Sequence, residues 1–274
     1  MESRAVDGLT LYYDATEEVA ANLVAAACER SLRLNLVTWG FSAPRDCRVY
    51  IITSAWHFLF HAASWPWRIA AAITSPFWVP RAKRLWPLAG GFHQALGQRR
   101  VIGVKPPRLI AEADLSLGKR LYVPKATADL AQKVQQVTCH ELTHACAAHL
   151  KPPMWLNEGL AMRTVDLYAG EPTVRADTLD LLAQGPESRP AHYQDVDTGD
   201  KDALLYHVAR GYWLTRLLEE NYPDLLTELV SAPHGSTEID AMMSGPLGVD
   251  PTVFWQDIDG TIVTHFALSP REED

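Results

Sequence analysis

The chain has no acidic residue between Cys47 and Ala111, no CxxC pair, no internal repeat and no long purely apolar run. Each absence excludes something. Four cysteines, Cys28, Cys47, Cys139 and Cys146, are too few to staple 274 residues, so reduced thiols are expected rather than a disulfide scaffold. The longest uncharged span, residues 49–67, contains His57, His61 and Pro66 and is closed by Arg68, which argues against a membrane-spanning helix. The N-terminal MESRAVDGLTLYYD carries acids and lacks the basic start and apolar run of a secretory leader. A cytoplasmic location is expected, with peripheral attachment to a membrane left open. Hydrophobic residues at 47% and charged residues at 21% are ordinary for a folded globular chain, and the length allows two lobes around a cleft.

The stretch without acids holds nine cations, Arg48, Arg68, Arg81, Lys83, Arg84, Arg99, Arg100, Lys105 and Arg108. The other 16 basic groups face 33 acidic ones, a balance of −17 hidden inside the overall −8. Five of the nine tryptophans fall within residues 55–98, broken by prolines. Three readings of this basic, Trp-rich insert stand side by side: a surface that meets an anionic membrane, a lid that grips substrate, and a lobe neutralised by the acidic body. No nucleic-acid motif accompanies the charge, so no nucleic-acid partner is expected.

Residues 9–13, 48–53, 99–104 and 120–123 read as strands, and Thr16 to about Arg33 reads as a helix with Thr16 as its cap. A long helix is expected from about Thr127 to His149, and another from Pro153 to Tyr168 with Gly170 as its stop. Residues 184–202 have the composition of a loop, and helices near 202–221, 223–232, 236–244 and 251–258 follow. The expected organisation is an N-terminal α/β lobe over residues 1–125 with the Trp-rich insert at about 55–98, then the two helices and a mainly helical lobe over 126–274.

His140-Glu141-Leu142-Thr143-His144 is an HExxH segment within the long helix. Residues four apart stack on one helix face, so both imidazoles converge on one point, suited to tetrahedral zinc. Glu141 stands beside them as a general base for metal-bound water. A third ligand is expected from a neighbouring helix, and Glu158 in WLNEGLA supplies it just past Pro152-Pro153. Cys139 and Cys146 flank the segment on one face and read as small core residues. His57 and His61 are also four apart but have no carboxylate near them, so packing is the better reading; His93, His149, His192, His234 and His265 are isolated.

HELTH followed by PMWLNEGLA resembles the gluzincin clan of metallopeptidases, in particular peptidase MA-like and aminopeptidase N-like domains, over Gln136 to about Thr164. The resemblance implies an α+β zincin-like fold, with a small mixed sheet, an active-site helix and a helical C-terminal lobe. It implies one zinc per chain on His140, His144 and Glu158, Glu141 as base, and a peptide or protein substrate. No GxMEN-type segment for gripping an α-amine is present, which favours an endopeptidase. Clan members stabilise the oxyanion from the C-terminal lobe; Tyr206 is the first candidate here, with His207 and Tyr212 competing. Residues 120–123 are the candidate edge strand for substrate. The alternative is a peptidase-like zinc-binding or membrane-surface protein without proteolytic activity.

Overall fold

The computed structural model describes residues 1–56, 65–75, 79–80, 83–84, 86–96, 99–113, 118–123, 129–184 and 200–268. His57, His61, Trp78, most of the expected 184–202 loop and the C-terminal tail lie outside them. The chain is mixed α/β and divides into two compact units, one of Met1–Ala148 with Thr164–Thr173, the other of His149–Arg163 with Val174–Asp274.

The first unit runs β1 (Glu2–Val6), β2 (Leu9–Tyr13), α1 (Glu18–Trp39), β3 (Cys47–Ile51), α2 (Trp65–Ile73), β4 (Gly91–Leu96), β5 (Arg99–Val104), α3 (Pro107–Ala113) and α4 (Leu130–Ala147). The strands form one mixed sheet in the order β1-β2-β3-β5-β4, parallel across β2, β3 and β5 and antiparallel at both ends. Asp7 and Gly8 take φ of 46° and 83°, as a two-residue hairpin turn between twisted strands requires. Two strands are additions to the sequence reading: β1, and β4 inside the segment read as an insert. The expected strand at 120–123 is not one. Lys119–Leu121 is a helical turn, and the Val123 N–H donates to the Thr173 carbonyl at 2.9 Å, so this short run is tied to a loop rather than to the sheet.

Helix α1 runs past the expected Arg33 to Trp39, where Gly40 in the left-handed region (φ 73°) closes it by donating to the Leu36 carbonyl at 3.1 Å. Thr16 is not its cap but lies in a preceding 3-10 turn. Helix α4, expected from about Thr127, begins at Leu130 with Asp129 as its cap, accepting from the Ala131 N–H at 2.9 Å; Thr127 lies outside the described residues. The two helices pack through small residues, and a long-range polar link in their core is specific. Asn35 donates to Thr143 Oγ1 at 3.1 Å and to the Ser31 carbonyl at 3.0 Å, while Thr143 donates to the Cys139 carbonyl at 2.9 Å. Asn35, Ser31 and Thr143 are fully buried, so leaving any of these groups unpaired would cost about 1–3 kcal/mol. The register of the HELTH helix on α1 is fixed by that link.

The other face of the sheet carries Tyr12, Tyr50, Ile52, Val101, Phe92 and Trp86. Lys105, 1% exposed, ends β5 by donating to the Trp86 carbonyl, with its ammonium 4.3 Å from the Trp86 ring centre. Burial pushes this amine down to about 8.

Helix α5 (Met154–Ala169) is a single helix whose start belongs to the second unit and whose last turns belong to the first. The second unit continues with α6 (Leu179–Ala183), α7 (Lys201–Asn221), α8 (Pro223–Ser231), α9 (Ser236–Leu247) and α10 (Phe254–Leu268). Helix α10 extends well past the expected end at 258 because Ile258 and Ile262 are completely buried, which offsets the poor helix propensity of Gly260 and the β-branched TIVT run.

Lys105 sets a measurable pH dependence. An unfolded lysine holds its proton to its ordinary value near 10.5, whereas the folded one releases it near 8, so over that window the unfolded chain binds more protons and stability rises with pH. The expected result is that denaturant melts of the parent gain on the order of 2 kcal/mol from pH 8 to 10.5 relative to Lys105→Met, which lacks the titration. Parallel curves for the two proteins would contradict it.

Candidate metal centre

On α4 the one-turn spacing brings His140 and His144 together: their Nε2 atoms are 3.0 Å apart and the rings meet edge to face with centres separated by 4.5 Å. Glu158 on α5 completes the group. One donor atom from each of the three residues lies within 4.8 Å of the others, and His144 and Glu158 are buried. No other group of three His, Cys, Asp or Glu side chains converges this way among the described residues. The three could hold a metal ion.

Glu158 is positioned from both ends of its helix. Lys151, in the left-handed region at φ 51°, makes the reversal before Pro152 and Pro153, and the Asn157 N–H already donates to the Pro153 carbonyl at 3.0 Å. At the start of α5, a Cβ on Gly159 would overlap the Thr215 side chain and the Gly211 carbonyl of α7. The glycine that follows Glu158 therefore lets two helix backbones touch. In the last turns of α5, Thr164 accepts from Trp39 Nε1 at 2.8 Å, and Val165 and Tyr168 pack with Ala27 and Cys139.

Glu141, 8% exposed, lies on α4 between the histidines and is packed against β4. A Cβ built on Gly91 would come 2.6 Å from Glu141 Cγ, 2.9 Å from Val137 Cγ1 and 3.0 Å from Glu141 Oε1. Only a residue without a side chain leaves that carboxylate where it is. Strand periodicity turns residues 91 and 93 to the same face, and the His93 ring is 6.3 Å from that of His144. Its Nε2 is buried with no hydrogen-bond partner among the described residues, and burial, with His144 and Arg100 nearby, pushes the imidazole down to about 3. His93 is thus a neutral ring beside the group.

Tyr206 and His207 are buried neighbours on α7 within the second unit. The Tyr206 hydroxyl donates to Asp259 on α10 and accepts from Arg210 Nη1 at 3.4 Å, and its ring meets that of His207 edge to face at 5.0 Å. Tyr212 is fully buried against Trp213, as a core residue. The four cysteines are buried free thiols, and burial pushes Cys139 and Cys47 up to about 12, so they keep their protons.

Gly91 and His93 escaped the sequence reading because their strand lay inside the supposed insert. The Gly-Gly pair of GGFHQAL was the available signal. Comparison with known proteins finds no matching family model and no similar curated protein.

Gly91→Ala is expected to lower stability by about 1–3 kcal/mol through overpacking against Glu141 and Val137. Denaturant melts beside Ala95→Gly, a change on the exposed part of the same strand, make the check; a larger loss at position 95 would refute the packing argument.

Proposed function

We propose that the chain is a gluzincin-type zinc metallopeptidase that cleaves internal bonds of a peptide or protein, with one zinc held by His140, His144 and Glu158. The observation that carries this reading is the convergence of those three donors with Glu141 buried at the next position of the same helix. Two imidazole nitrogens and one carboxylate are the donor set of an open catalytic zinc site rather than a closed structural one. Nitrogens bound at about 2.0–2.1 Å to one tetrahedral ion stand about 3.3 Å apart, close to the 3.0 Å between the two Nε2 atoms.

When bound, zinc polarises the scissile carbonyl and brings the pKa of its water to about 7. The residues of the chain do the rest. Glu141 takes the proton of the attacking water and passes it to the leaving amine, and the close approach of the Gly91 backbone leaves room for its carboxylate beside the histidines. β4 replaces residues 120–123 as the strand on which an extended substrate would pair, since it ends the sheet and its Gly91 and His93 line Glu141 and His144. Tyr206 and His207 are the candidate oxyanion donors. The proton of Tyr206 goes to Asp259, so Tyr206→Phe would also loosen α7 from α10 and has to be read together with its stability.

The test is a peptide-library digest with zinc-loaded protein. Glu141→Gln is expected to keep one zinc per chain and lose turnover by about 10³-fold or more, whereas Glu158→Gln lowers zinc affinity first. Full turnover by zinc-replete Glu141→Gln would remove the proposed mechanism.

A further inference from the structure

The nine cations of the acid-free stretch are not all unpaired at the surface. Arg48 and Arg99 pair with Asp46 at 3.3 and 3.0 Å, Arg108 pairs with Glu17 at 2.7 Å, and Lys105 is buried over Trp86. Lys83 and Arg84, by contrast, are exposed. In sequence they follow a helix that exposes large apolar side chains.

Helix α2 exposes Trp65 at 70%, Ile69 at 45% and Ile73 at 73%, with Ala72 also exposed, and Trp56 shortly before it is 51% exposed. Positions 65, 69, 72 and 73 fall on one helical face, so the exposed side is a continuous apolar stripe headed by a tryptophan. Scattered single apolar residues on a surface need no explanation; a stripe does. The charge around it says what it meets. Residues 47–111 carry no acid and nine cations, while the remainder of the chain carries a net −17, so by charge this is the stretch that an anionic surface favours over the rest of the chain taken together.

We propose that the exposed face of α2, with exposed Trp56 before it and exposed Lys83 and Arg84 after it in sequence, docks on an anionic lipid bilayer. Tryptophan settles at headgroup depth, isoleucines enter the acyl boundary, and lysine and arginine meet lipid phosphates and carboxylates. A helix face is convex, which suits a fluid bilayer without a matching groove. No helix among the described residues is long and apolar enough to cross a membrane, so the attachment is interfacial. This inference does not depend on the metallopeptidase reading.

The full chain is sedimented with vesicles of phosphatidylcholine containing about 30% phosphatidylserine, and with phosphatidylcholine alone, in about 0.1 M salt. Saturable binding is expected to the anionic vesicles, weakened about tenfold or more by Trp65→Ser/Ile69→Ser/Ile73→Ser, by Lys83→Glu/Arg84→Glu and by omitting the anionic lipid. Val37→Ser, at an exposed apolar site on α1, serves as control and is expected to bind like the parent. Thermal melts establish that the variants are folded; all substituted side chains are exposed, so their melts should match the parent. The proposal is overturned if the folded parent fails to bind anionic vesicles, if the triple variant binds as well as the parent, or if the stripe instead drives self-association without vesicles.

Discussion

The position of the general base candidate depends on how closely the HELTH helix can approach the last strand of the sheet, and the missing side chain at Gly91 sets that distance. With a methyl group there, Glu141 would have to swing away or α4 would have to withdraw from β4. The opposite side of α4 is fixed by the buried Asn35–Thr143 link to α1. The helix is thus clamped between a polar bond that chooses its register and a bare backbone that admits its carboxylate. Thr143, one of the two residues that the motif leaves unspecified, is committed to the first of these tasks.

How much of this was legible in the sequence follows from how local each feature is. His140, His144 and Glu141 sit on one helix, and helical periodicity alone brings them together. Glu158 was legible because a double proline and a short turn announce a reversal. β2, β3, β5 and the C-terminal helices were readable from period and composition. β1 was missed although Asp7-Gly8 is a hairpin signal, because Glu2-Ser3-Arg4 offers almost no apolar alternation. β4 was missed because GFHQAL lacks β-branched residues and becomes a strand only by pairing with β5. RLYV has the composition of a strand but too little length to hold one. Gly91 and His93 reach the site by packing from about fifty positions upstream, and nothing in a local pattern reports that.

Glycine has two different uses around the group. Gly91 admits a side chain, whereas Gly159 admits a backbone, allowing α5 and α7 to touch beside Glu158. Both are close approaches rather than turns, and neither residue has a left-handed φ. The basic stretch also separates on inspection of its partners. Part of its charge is paired, on Asp46 and on Glu17, one amine is buried over the Trp86 ring, and Lys83 and Arg84 are exposed.

The two ends of the sheet are protected unequally. β1 is five residues long and carries Glu2 and Arg4, the kind of charged, short border that discourages pairing with a foreign chain. β4 has no charged residue along its whole length, Gly91–Leu96. An uncharged border strand presents backbone donors and acceptors to any extended chain, including another copy of the protein in a partly unfolded state. Keeping such a border carries a risk of aggregation that a single lysine at Gln94 or Ala95 would reduce. The uncharged sequence therefore leaves β4 as the less protected of the two borders of the sheet.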